Sequence, residues 1–127
     1  MEGKKWLSPI MVENSKVPVW LSKVAPIEIW AISIGFFVWC RGEMNERTRR
    51  HETIHYRQQL ELLFVFQWIL YGLFFLIGLV THRSGKKAYR MNPFEVEAYN
   101  HDSQTLYLYE RPWFQWRKYL PSLWGKE

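Results

Sequence analysis

The sequence predicts one α+β domain, mostly helical, with a short β-sheet ahead of the helices. Three observations predict it. With 127 residues the chain can bury one core and has no room for a second domain. The run from Ile27 to Cys40 is dominated by β-branched and aromatic residues, the composition of strands. Two Asn helix-start signals, at Asn45 and Asn92, open the segments that follow.

Residues 1–26 carry Pro9, Pro18 and Pro26 among short apolar pieces, which predicts an extended, loop-rich arm. Met1 to Lys16 lacks the apolar stretch of a cleavable secretory signal, so the working part of the chain is expected to face the cytoplasm. In the strand region, 27–44, Gly35 marks a bulge or turn. Arg41 to Asn45 forms a turn, and Asn45 followed by Glu46 places a capping side chain and then a carboxylate at a helix N-terminus. That helix is expected to run from about Glu46 to at least Ile69.

Leu62 to Val80 has Gln67 as its one strongly polar side chain and is long enough to cross a bilayer. Arg41, Arg47, Arg49, Arg50 and Arg57 precede it, and Arg83, Lys86, Lys87 and Arg90 follow it, so both ends look cytoplasmic. A hairpin dipping into one leaflet and broken near Tyr71-Gly72 satisfies the apolar run and both flanks. A basic loop then leads to Asn92-Pro93, where Asn caps and Pro takes the first helical position, opening a helix from Phe94 to about Tyr109 within 92–110. The tail, 111–127, interleaves Trp113, Phe114, Trp116, Tyr119 and Trp124 with Arg117 and Lys118, the composition of an interfacial anchor.

Eight Trp and a formal charge of +5 suit a lipid interface. Nucleic acid is not an expected partner, because the cations flank an apolar run instead of alternating with aromatics along a polar face. The lone Cys40 excludes both an intramolecular disulfide and a Cys-rich zinc site. Oligomeric state is not readable from the sequence.

The chemistry concentrates in His51-Glu52-Thr53-Ile54-His55. Two His four positions apart on a helix project from one face and can bind one Zn²⁺. Glu52 is turned by about 100° from His51, which sets its carboxylate beside the metal as a general base for zinc-bound water. The competing reading is a charged helix face on which two His fall at helical spacing, in a membrane protein that binds lipid or a partner helix without catalysis. A zinc enzyme also needs a third protein ligand. The segment Asn92 to Tyr99 offers Glu95 and Glu97 on a second helix, with Ala98 permitting close approach; His101 and His82 are the other sources. Asn92-x-x-Glu95 is equally a capping-box arrangement that would turn Glu95 back on its own helix.

With its HExxH helix and a Glu on a later helix, the sequence resembles the gluzincins. It is most similar to the membrane-embedded CAAX-prenyl-protease group, whose Phe-Glu-x-x-Ala-Asp pattern is matched by Phe94-Glu95-Val96-Glu97-Ala98, with Tyr99 where Asp is expected. The combination of His51 to Glu61 with Phe94 to Tyr99 also resembles small uncharacterised microbial and phage proteins of metallopeptidase type. The resemblance covers about residues 45–110 and rests on two short motifs. It implies a minimal zincin-like fold, a zinc-dependent peptidase acting on a peptide or protein substrate, His51, His55 and Glu95 as ligands, and Glu52 as catalytic base. Tyr99 or Asp102 is expected to replace the missing Asp, and Gln58 is either an outer hydrogen-bond partner or a surface amide. Tyr56, Tyr89, Arg90, Tyr99, His82 and His101 are all chemically able to stabilise an oxyanion. The strand region is either core or an edge on which an extended substrate pairs.

Overall fold

The computed structural model describes residues 8–23 and 30–125. It is α+β and mostly helical, with a three-stranded mixed sheet in the order β1-β3-β2. Strand β1 (Ile10–Val12) runs parallel to β3 (Phe37–Cys40), and β2 (Ala31–Ile34) runs antiparallel to it. Gly35, at φ +63°, opens the two-residue turn between β2 and β3, a position where a II′ turn needs a left-handed residue. The expected strand region is therefore a hairpin; residues 27–29 lie outside the described residues. The loop-rich arm is corrected where it is described. Ile10–Val12 joins the sheet, and Pro18, preset for a first helical turn, lies in helix α1 (Val17–Ser22).

Helix α2 (Glu46–Glu61) starts as the sequence predicts: the Asn45 side chain accepts from the Thr48 backbone N–H at 2.8 Å. It is the centre of the molecule, with every residue from His51 to Gln59 buried. It does not continue to Ile69. The chain reverses at Leu62–Phe64, where Leu63 (φ 55°) and Phe64 (φ 63°, ψ −66°) take left-handed backbone angles without a glycine. Phe64 is the middle of a γ-turn of the strained, positive-φ kind, closed by Val65 N–H donating to Leu63 C=O at 2.7 Å. Helix α3 (Val65–His82) then runs without interruption through Tyr71-Gly72, so the expected break lies seven to ten residues too late.

The basic loop is also a helix, α4 (Gly85–Arg90), capped by Ser84. Helix α5 (Pro93–His101) begins at Asn92-Pro93 as predicted but stops at Asp102, and the expected single helix to Tyr109 resumes only as the short α6 (Tyr107–Glu110). The aromatic tail forms a 3-10 helix, Gln115–Trp124, that is partly core: Trp116 and Leu123 pack with Phe74 and Phe94. Trp113 and Trp124 remain exposed.

Helices α3 and α4 touch at Gly78, where an added Cβ would meet Ala88 Cα at 3.0 Å and its Cβ at 3.1 Å. Gly78→Val is thus expected to destabilise the fold by about 1–3 kcal/mol, the usual cost of overpacking, read as a fall of several degrees in melting temperature.

Candidate functional site

Helical spacing sets the His51 and His55 rings on one face of α2, with centroids 4.9 Å apart. Helix α5 crosses beside them, Ala98 fully buried in one cluster with Ile54, and delivers Glu95. One carboxylate oxygen, Glu95 Oε1, stands 3.2 Å from His51 Nε2 and 3.0 Å from His55 Nε2. The other ring nitrogens are tied as well. His51 Nδ1 lies 2.9 Å from Asp102 Oδ2, and His55 Nδ1 lies 2.8 Å from Gln58 Oε1.

Each of these contacts is itself supported. Arg47 Nε donates to Asp102 Oδ1 at 2.9 Å, and Arg50 donates to the Asp102 carbonyl at 2.6 Å. Gln58 Nε2 donates to the Phe94 carbonyl and to Glu97 Oε1, both at 3.0 Å. Tyr71 on α3 donates to Glu95 Oε2 at 2.7 Å.

The protons on the two rings decide whether a metal fits. All four ring nitrogens face carboxylate or amide oxygens, which only accept. To satisfy them without a metal, both buried rings must be doubly protonated. A divalent cation held by the two Nε2 atoms and Glu95 Oε1 would replace two protons with the same charge. It would leave each ring neutral and each Nδ1–H donating, the arrangement of metal-binding His. The N₂O donor set suits zinc. Contacts of 3.0–3.2 Å are close to the roughly 3.3 Å between ligands of a tetrahedral site with bonds of about 2.0–2.1 Å.

Electrostatics follows the same partners. Against the opposing pull of burial, hydrogen bonds to Asp102 and Glu95 raise the His51 pKa to about 10, and the Glu95 charge raises that of His55. Against burial, the His55 charge and hydrogen bonds from both rings hold Glu95 well below the carboxylate range. Burial raises the pKa of Glu52, although both imidazoles pull it down.

Glu52 is 6% exposed, faces the same cavity, and makes no hydrogen bond to any described residue. Potential ligand atoms of His51, Glu52 and His55 lie within 4.8 Å of one another, which would also allow Glu52 as third ligand. Direct contact of Glu95 with both Nε2 atoms favours Glu95 and leaves Glu52 free beside them.

The other candidates are used elsewhere. Glu97 is fully buried and accepts from Gln58, from Tyr107 Oη at 2.7 Å and from Arg111. His101 pairs with Gln104 and Tyr119, and His82 with the Ser122 carbonyl. Asn92 caps the Phe94 N–H, and the Glu95 carboxylate is taken up by His51, His55 and Tyr71 and not by a capping box. Of the proposed oxyanion donors, Tyr89 and Tyr99 line the cavity, their hydroxyls 2.8 Å apart, with the Tyr99 ring 4.4 Å from His51. Arg90 stacks on Tyr99, and Tyr56 is enclosed with Phe36 and Phe64. Tyr71 has no role in the sequence reading except as part of a break. Its spacing from Gln67 by one helical turn, in an otherwise apolar run, is the signal that would have found it.

The cavity over these groups measures about 880 Å³ and lies among β2, α2, α3 and α5. Gln59 fastens its two walls, donating to Ser33 O at 2.9 Å while its Oε1 accepts from Gly35 N–H and Trp68 Nε1. If the site holds zinc, Asp102→Asn is expected to weaken its binding by about 10–100-fold, the usual effect of losing the group that orients a ligating His, measured by competition with a chelator. Comparison of the chain with protein-family models, with curated proteins and with solved structures finds no match.

Proposed function

We propose that this chain is a zinc-dependent peptidase of minimal zincin-like architecture, working at the cytoplasmic surface of a membrane. The observation that carries the reading is the convergence of His51 Nε2 and His55 Nε2 on Glu95 Oε1, with the Glu52 carboxylate, unpartnered among the described residues, beside them. His51, His55 and Glu95 would hold the zinc, which when bound supplies Lewis acidity toward a carbonyl and toward water near neutral pH.

The chain's own groups do the rest. Glu52, raised in pKa by burial, takes the proton of the attacking water and passes it to the leaving amine. Asp102 and Gln58 hold the two rings in orientation. Tyr89 and Tyr99, whose hydroxyls share one hydrogen bond, leave one O–H to donate at the cavity wall.

A peptide substrate is supported by the outer edge of β2, which pairs with no other strand among the described residues. Ile34↔Phe37 flanks the tight turn and is a hydrogen-bonded pair, so Ser33↔Val38 and Ala31↔Cys40 are the alternate pairs whose residues on β2 turn N–H and C=O outward. Gln59 occupies Ser33 C=O, leaving Ala31 N–H, Ala31 C=O and Ser33 N–H for an added strand.

The membrane part rests on α3. Its 18 residues have mean hydropathy 1.7 and only 17% of them are buried, so it is long and apolar enough to cross a membrane. Phe66, Ile69, Leu76 and Val80 are exposed along it. The same helix equally favours a non-catalytic lipid-binding protein, and metal content separates the two. Elemental analysis of purified protein is expected to give one zinc per chain, lost in His55→Ala. Zinc far below one per chain would overturn the enzyme and leave the lipid-binding reading.

A further inference from the structure

Helix α3 presents two polar-capable side chains to the cavity one turn apart, Gln67 and Tyr71. Tyr71 is engaged by Glu95, and their neighbour Trp68 donates to Gln59. Gln67 is different. It is 4% exposed, lines the cavity, and its amide has no hydrogen-bond partner among the described residues. The amide is not among the sealed polar atoms left without a partner, so it opens onto the cavity, and helix packing alone would be better served by Leu or Met at this position. Its donors and acceptor are therefore available to whatever enters the cleft.

The chemistry of that occupant can be read from the amide. A Gln side chain offers a carbonyl and an N–H₂ in one plane, the same pair of groups that a peptide unit presents. It carries no charge to select an ion. Across the cavity, β2 turns Ala31 and Ser33 backbone groups outward. We infer that Gln67 is a substrate-positioning residue that hydrogen-bonds a backbone amide of a peptide lying between β2 and α3. This deepens the peptidase reading and rests on it.

The test uses zinc-loaded protein and two chelating probes, acetohydroxamate, which has no peptide unit, and acetyl-alanyl-leucyl hydroxamate, which has two. Gln67→Met keeps side-chain volume and removes the amide. In calorimetric titrations the variant is expected to bind the peptide hydroxamate about tenfold more weakly, the scale of one lost hydrogen bond, and acetohydroxamate within about twofold of wild type. Its melting temperature without probes is expected to equal or exceed that of wild type, since no protein hydrogen bond is lost. Unchanged affinity for the peptide probe, parallel loss of both probes, or a lower melting temperature would each overturn the assignment while the peptidase reading stands. Wild-type protein that takes up no zinc would instead overturn the peptidase reading, and this inference with it.

Discussion

Glu52→Gln is expected to retain one zinc per chain while its peptide hydrolysis falls by about 10²–10⁴-fold, the usual contribution of general acid–base catalysis. The carboxylate is nine-tenths buried and has no partner among the described residues, so the isosteric amide fits without breaking a contact. What it loses is the ability to take a proton. Glu95→Gln is the necessary companion. Glu95 touches both imidazoles and Tyr71, and its loss is expected to abolish stoichiometric zinc. Elemental analysis of the two variants with turnover of a peptide mixture reads both outcomes. Zinc lost from Glu52→Gln and kept by Glu95→Gln would exchange their roles.

The largest effect on stability is expected at Arg111, far from the motif in sequence. Its guanidinium donates to Glu61 at 2.8 and 3.0 Å and to Glu97, and all three side chains are almost wholly buried. Arg111→Met leaves two buried carboxylates without their cation, a change that costs about 3–5 kcal/mol. For a domain of this size that corresponds to roughly 10–20 °C in melting temperature. Zinc affinity should fall with it, because Glu97 holds Gln58 and Gln58 holds His55. The triple variant Glu61→Gln, Glu97→Gln, Arg111→Met removes all three charges and is expected to recover most of the loss in thermal melts. Failure to recover would mean that Arg111 acts through packing of its stem.

The parts of this structure legible in the sequence are those set by local signals. Asn45 and Asn92 cap the helices that follow them because a side-chain cap acts within three residues. Gly35 turns the hairpin because the turn itself demands a left-handed angle. His51, Glu52 and His55 share a cavity because helical spacing alone brings them together. Features that depend on distant partners were not legible. Asp102 is one of two residues, with Tyr99, that the sequence offers in place of the missing Asp, but the gathering of Arg47, Arg50 and His51 on it from α2 is not readable there, since none of these lies within 50 residues of it in sequence. The resemblance points to Glu95 while the residues alone leave Glu97 open, since both are carboxylates on one short helix and only their distant partners differ, two imidazoles for Glu95 and Arg111 for Glu97. The reversal between α2 and α3 carries no Gly or Pro, so composition offered nothing to mark it.

That reversal has a consequence for how the molecule assembles. Left-handed angles at Leu63 and Phe64 cost about 1–2 kcal/mol each in an isolated chain, so residues 46–82 left to themselves favour one straight rod. What holds the corner is Phe64, whose ring lies 5.0 Å from Phe36 at the tip of the hairpin, with its N–H on the Gln59 carbonyl. The hairpin therefore acts as a doorstop, and the apolar helix folds back only once it is in place. In a straight rod, Tyr71 and Gln67 would point away from the histidines, and the site would lack its roof.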